Sequence, residues 1–109
     1  MSTLFEPLHL RLTWDNPTTG EYYECINPLP ITIGRAASLN AIVLNSKHVS
    51  RQHARLEGTG NRIILIDQNS TNGTLVDGHR ITCTALSDGD SFRIGPFRFI
   101  SRINCASPG

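Results

Sequence analysis

The stretch GTLVDGHRI, Gly73 to Ile81, decides the fold. Asp77-Gly78 stands between Leu75-Val76 and Ile81, and a two-residue Asp-Gly loop between apolar positions is a strong hairpin signal. The tight primed turn needs positive φ at both central residues, which Asp and Gly tolerate best. A hairpin makes its flanks strands, and similar runs recur on both sides of it. Upstream are LHLRLTW at Leu8 to Trp14, EYYECI at Glu21 to Ile26, ITIGR at Ile31 to Arg35, AIVL at Ala41 to Leu44, HARLEG at His53 to Gly58 and RIILID at Arg62 to Asp67. Downstream are SFRIG at Ser91 to Gly95 and FRFISRI at Phe97 to Ile103. All show two-residue alternation or β-branched content, and turn-rich clusters such as DNPTTG, EGTGN and LSDGD separate them. No helix-period segment of useful length occurs. Short strands spaced by about ten residues predict an all-β sandwich rather than a helical or mixed fold.

The 109 residues suffice for one hydrophobic core, so a single domain over 1–109 is expected, with the end of the chain, 104–109, as a short tail. Hydrophobic content of 39% with 17% charged residues is that of an ordinary folded chain. A net charge of +1 gives no global field that would draw the protein onto nucleic acid, so any anion site must be local. The apolar runs are far shorter than a membrane span needs, and MSTLFEPLHL lacks the pattern of an export signal. An intracellular, cytoplasmic location is therefore expected, or a nuclear one if the source is eukaryotic. Cys25, Cys83 and Cys105 are odd in number and widely separated, which predicts free thiols. His48 and His53 share the spacing of some zinc ligands, but no cysteine pair precedes them, so neither a metal nor a cofactor is expected.

Three segments between strands carry the chemistry: RAASLNA after Ile33-Gly34, NSKHVSRQ after Leu44, and DQNSTNG after Ile66. In a sandwich with this strand order all three fall at one end. They bring Arg35, Ser50, Arg51, Thr71 and Asn72, a donor-rich set without a paired acid, which suits an anion. Gly34 before Arg35 allows an unusual backbone angle or close approach of another chain. The guanidinium fork of Arg35, the hydroxyl and N–H of Ser50 and the charge of Arg51 match the demands of a phosphorylated side chain. Ser50 and His53 also raise an acyl-transfer reading, but no G-x-S-x-G elbow and no orienting acid accompany them. No enzymatic activity is expected.

The ordered set Gly34-Arg35, Ser50-x-x-His53, Asn69-Ser70-Thr71-Asn72-Gly73-Thr74, Val76-Asp77-Gly78, Leu86-x-Asp88-Gly89-Asp90 and Ile94-Gly95 resembles the forkhead-associated (FHA) domain, over a motif-bearing core of about 31–99. The resemblance implies an eleven-stranded β-sandwich of two twisted sheets whose apical loops bind phosphothreonine in an extended segment of a partner, the product of a Ser/Thr kinase. By the same resemblance Arg35 and Ser50 are the phosphate ligands, Arg51 an auxiliary contact, Asn72 the contact to the peptide backbone and Thr71 a neighbour lining the site. It further implies that His53 braces the serine loop, that Gly73 permits the turn into the next strand, and that threonine is preferred over serine. His48 is a candidate specificity contact. Family members often carry aspartate where Ala41 precedes Ile42, so one loop-supporting contact is expected to be missing. The alternative is a phosphate-independent scaffold using an exposed face, with Tyr22, Tyr23 and Phe97 as its candidate aromatics.

Overall fold

The computed structural model describes residues 8–25 and 28–105. It consists of strands β1 (Leu8–Asp15), β2 (Tyr22–Cys25), β3 (Ile31–Gly34), β4 (Ile42–Val43), β5 (Ala54–Thr59), β6 (Arg62–Asp67), β7 (Thr74–Val76), β8 (His79–Ile81), β9 (Cys83–Leu86), β10 (Ser91–Ile94) and β11 (Phe97–Cys105). Six form one sheet in the order β2-β1-β11-β10-β7-β8, and five form the other in the order β4-β3-β5-β6-β9. The all-β sandwich expected from the sequence is the observed architecture. Among the described residues there is no helix, and none long and apolar enough to cross a membrane.

Alternation builds the core. Leu10, Leu12 and Trp14 of β1, Ile31 and Ile33 of β3, Ala54 and Leu56 of β5, and Ile63 and Leu65 of β6 all turn into one buried cluster between the sheets. The six-stranded sheet adds a row of aromatic rings. Phe92, Phe99, Trp14 and Tyr23 are successive cross-strand partners on β10, β11, β1 and β2. Their rings stack in turn, with centroids 4.8 Å apart for Phe92–Phe99, 5.1 Å for Phe99–Trp14 and 5.7 Å for Trp14–Tyr23. Such pairs stabilise by about 0.5–1.5 kcal/mol each beyond their buried area. The row also fixes register, because a one-residue slip would send every ring to the other face.

The hairpin at Asp77-Gly78 forms as its sequence requires: both residues have positive φ, 52° and 78°, and Val76 faces His79 across the turn. One strand, β9, has no counterpart among the runs picked out by pattern, and β8 follows only as the second arm of the Asp77-Gly78 hairpin. β8 holds His79 and Arg80, both exposed, and β9 buries only Leu86 fully, so neither shows the alternation that marks a half-buried strand. The ladder to β6, from Ile63↔Leu86 to Ile66↔Cys83, makes β9 a strand. β11 continues through Cys105, with Asn104 opposite His9, so the tail expected from 104 begins inside a strand. The remainder of that tail, 106–109, lies outside the described residues, as does Ile26 at the end of the second run. Phe97 is not part of an exposed face: it is buried in the core, while Tyr22 and Tyr23 are exposed. It opens β11 on the same inward phase as Phe99. Cys25 and Cys83 are free thiols.

Phe99 is fully buried between two rings, so Phe99→Ala should destabilise the fold by about 3–5 kcal/mol. The shift in the urea midpoint measures it, and a loss below about 1 kcal/mol would contradict the stacked row as a main packing element.

Candidate functional site

Three connections meet at one end of the sandwich: 35–41 between β3 and β4, 44–53 between β4 and β5, and 68–73 between β6 and β7. His53 ties their roots together. Its ring is fully buried; Nδ1 accepts the backbone N–H of Ser50 at 3.0 Å and Nε2 meets the Gly73 carbonyl at 2.8 Å. A backbone amide can only donate, so Nδ1 is the unprotonated nitrogen and Nε2 carries the hydrogen given to Gly73. The backbone of the same residue donates to Ile33 O at 2.9 Å and accepts from Gln68 N at 2.8 Å. One residue therefore bonds to β3, to its own loop and to both ends of the β6–β7 connection.

Above this brace the loops bond to one another. Arg35 N donates to Ser50 O at 2.9 Å and Arg35 Nε to Val49 O at 3.0 Å. This points the guanidinium over the serine loop and leaves Nη1 and Nη2 without a protein partner among the described residues. Ser50 Oγ accepts the Thr71 N–H at 3.0 Å, so its own hydroxyl proton remains available to a further acceptor. Asn72 Nδ2 donates to His48 O at 2.9 Å, which turns Oδ1 away as an acceptor. Arg51 enters through its backbone: its carbonyl receives Ala36 N at 3.2 Å and Asn40 Nδ2 at 2.7 Å, and its side chain is exposed. Gly34 sits where no side chain fits, since a Cβ there would lie 2.3 Å from Arg51 O. Gly73 has φ +90°, the left-handed region that glycine adopts freely. Arg35, Ser50, Arg51, Thr71, Asn72 and His48 thus lie in loops linked at one rim, with Gly34, His53 and Gly73 at their roots.

Four supporting residues, Asn40, Thr32, Asp67 and Arg80, were not among those expected. Asn40 bridges Ala36 O and Arg51 O at 2.8 and 2.7 Å, so support between the first two loops comes one position before Ala41, while Thr32 Oγ1 receives the Ala41 N–H at 2.9 Å. The contact expected to be missing at Ala41 is therefore offset by a neighbour. Asp67 anchors the third loop: Ser70 Oγ donates to it at 2.6 Å, Thr74 Oγ1 at 2.7 Å and Ser70 N at 3.0 Å. Burial alone pushes this carboxyl up, but the donors from Ser70 and Thr74 outweigh it and hold it below the usual aspartate range. Arg80 from β8 closes the far side, donating to Ser70 O at 2.9 Å. An Asp three residues before a Ser at a strand end is a legible local signal for such a turn; the reach of Arg80 is not local.

Both nitrogens of the His53 ring are occupied by backbone groups, so neither is free to take a proton from Ser50 Oγ. Among the described residues no cluster of three or more His, Cys, Asp or Glu could hold a metal ion. From Arg35 to Gln52 the sequence contains Arg35, Lys47 and Arg51 and no carboxylate, and 68–73 is uncharged. The rim is locally basic on a chain that is nearly neutral.

Two outcomes follow for the support. Gly34→Ala should lower stability by about 1–3 kcal/mol, read from denaturant midpoints, because backbone rather than a flexible side chain must give way. Asp67 is more acidic folded than unfolded, so its stabilisation is present above the unfolded value and is lost as the pH falls through the folded one. Wild type should lose stability below about pH 4 more steeply than Asp67→Asn; equal slopes would remove Asp67 as a stabilising carboxylate.

The family model for the FHA domain matches residues 31–95. Over 71 residues the chain is 39% identical to the transcriptional regulatory protein EmbR of Mycobacterium tuberculosis, covering 64% of this chain and 18% of that protein. It is 37% identical over 59 residues to the oxoglutarate dehydrogenase inhibitor of Corynebacterium jeikeium, covering 54% of this chain and 41% of that protein. The chain thus spans less than a fifth of EmbR. Among solved structures, M. tuberculosis EmbR in complex with a low-affinity phosphopeptide superposes with a TM-score of 0.72 at 33% identity, over 91% of this chain and 26% of that one. The FhaA FHA domain complexed with the intracellular domain of Rv3910 gives 0.72 at 32% identity, over 85% and 99%. An FHA domain of an Arabidopsis thaliana protein gives 0.75 at 26% identity, over 100% and 95%. With its sandwich, its three braced loops and a family match over more than half its length, the chain belongs to the FHA domain family.

Proposed function

We propose that the braced rim is a non-catalytic phosphopeptide site that holds a phosphothreonine in an extended segment of a partner protein. The observation that carries this reading is the convergence of Arg35, Ser50 and Asn72, each with hydrogen-bonding capacity left over, on a rim with no carboxylate. Arg35 supplies a planar two-pronged donor, and Ser50 supplies a hydroxyl donor whose oxygen is fixed by Thr71 N–H. Arg51 adds positive charge toward balancing the −1.5 to −2 of a phosphoryl group. Asn72 Oδ1 takes a backbone N–H of the bound segment, Thr71 lines the site, and His48 borders it as a specificity contact. Gly34, His53 and Gly73 hold the loops. The relatives' phosphopeptide and partner-domain complexes support extending this role to the present chain. Its partner is then the product of a Ser/Thr kinase inside the cell.

Charge-assisted bonds contribute about 1.5–3 kcal/mol each, and after ordering and association costs a micromolar complex is expected, about −8 kcal/mol. Titration calorimetry with a phosphothreonine peptide library tests this. The best peptide should lose detectable binding when unphosphorylated, and Arg35→Ala should weaken it by at least tenfold. Replacing phosphothreonine by glutamate should not restore binding, since a carboxylate offers less charge and fewer acceptors. Undiminished affinity in Arg35→Ala, or equal binding of the unphosphorylated peptide, would instead favour a phosphate-independent contact surface.

A further inference from the structure

The outer face of the six-stranded sheet carries a charge arrangement that the phosphopeptide site does not use. Register places Arg93 of β10 directly opposite Arg98 of β11, and Arg11 of β1 directly opposite Arg102 of β11. Like charges at opposed positions on one face are destabilising unless something offsets them. Arg11 is offset by Glu24, at 2.8 Å. Among the described residues Arg93, Arg98 and Arg102 form no salt bridge, even though Asp15 is the cross-strand partner of Arg98.

A second observation sits beside the first pair. β7 pairs with β10 only at Thr74 and Leu75, so the hairpin beyond them leaves a cavity of about 240 Å³ lined by Leu75, Asp77, Gly78, Ser91, Arg93 and Arg98. Unpaired guanidinium groups beside a cleft are suited to accept carboxylate oxygens in a forked geometry. The cleft is also close to the rim. Gly95, in the turn between β10 and β11, lies so near the serine loop that a Cβ there would meet Val49 and His48, and Arg98 is the second residue of β11 beyond that turn. Arg102, on the same face of β11, is about 13 Å beyond Arg98.

We propose that this face, through Arg93 and Arg98 at the cleft and Arg102 beyond it, takes an acidic, Asp- or Glu-rich segment of the same partner chain whose phosphothreonine the loops hold. The proposal rests on the phosphopeptide reading for its first anchor. A protein segment fits better than nucleic acid because Asp15 is paired opposite Arg98, Glu24 bonds Arg11, and Asp77 and Asp88 line the clefts beside Arg98 and Arg102. Those carboxylates would oppose a broad duplex backbone, whereas a single extended chain can follow β11 between them. The duplex would also have to bind a chain whose net charge is only +1.

The test uses synthetic peptides sharing one phosphothreonine core: the short core, the core extended by an acidic run beginning about five residues to either side, and the same extensions with serine in place of the acids. At least one acidic extension should bind wild type about fivefold tighter than the short core or its serine counterpart. Arg93→Gln/Arg98→Gln should abolish that gain, leave the short core unaffected, and melt at the same or a higher temperature because a like-charge pair is relieved. No gain in wild type, or a gain that survives in the double variant, overturns the second surface while the short core's binding still stands. If the short core fails to bind, the phosphopeptide reading fails, and an unphosphorylated poly-glutamate peptide followed by amide chemical shifts decides the surface alone. Shifts along β10 and β11 that vanish in the double variant support it, and their absence in wild type overturns it. Tighter binding of a short DNA duplex to this face than of the acidic peptide overturns the choice of partner.

Discussion

The site depends on one buried imidazole. His53 contributes four hydrogen bonds, two from its ring and two from its backbone, and they reach β3, the serine loop and both ends of the β6–β7 connection. Loop segments have many competing conformations, and fixing each residue costs about 1–2 kcal/mol of entropy. A ring shared among three connections spreads that cost over contacts that hold one another in place. The same sharing removes both nitrogens from proton transfer, so the feature that organises the rim also excludes Ser50–His53 as a nucleophile and base.

Around this brace the support is polar and cooperative. Asp67 satisfies three donors from Ser70 and Thr74, Arg80 reaches across from β8 to Ser70 O, and Asn40 joins the carbonyls of Ala36 and Arg51. None of these groups faces the rim as an acid. The negative charge of Asp67 is spent beneath the loop on internal donors, and the groups that remain with spare capacity above it are donors and one amide oxygen. Preorganised donors that need no rearrangement bind an anion with less lost entropy than mobile side chains would. The rigid stage beneath them is the aromatic row Phe92–Phe99–Trp14–Tyr23, which locks β10, β11, β1 and β2 in register.

Alternation and turn chemistry made most strands legible, because a half-buried strand must repeat every two residues and a tight hairpin must place Asp or Gly at positive φ. The strand without an inward-facing pattern is β9, where Leu86 is the single buried residue, while β8, with His79 and Arg80 exposed, is legible through its hairpin turn alone. An edge strand such as β9 is defined by ladder bonds to its neighbour, here β6, and a neighbour not joined by a tight turn leaves no local trace. Phe97, a candidate for an exposed aromatic face only under the phosphate-independent alternative, faces inward for a related reason. An aromatic residue at the first position of a strand has no preceding partner to reveal its phase, and pairing with β10 sets it inward.

By itself the sequence determined the class of fold, the hairpin at Asp77-Gly78 and the family of donors, because each follows from short-range periodicity, backbone preference or motif order. Tertiary structure alone decided how those donors are aimed. Asn40 in place of an acid at Ala41, the reach of Arg80 to Ser70 O, the tautomer of His53 and the opposition of Arg93 to Arg98 all join positions that are far apart in the chain or set by register. Hydrogen bonds act over about 3 Å while the chain between their partners spans many residues, so such pairings are fixed by packing of the whole sandwich and not by any local pattern.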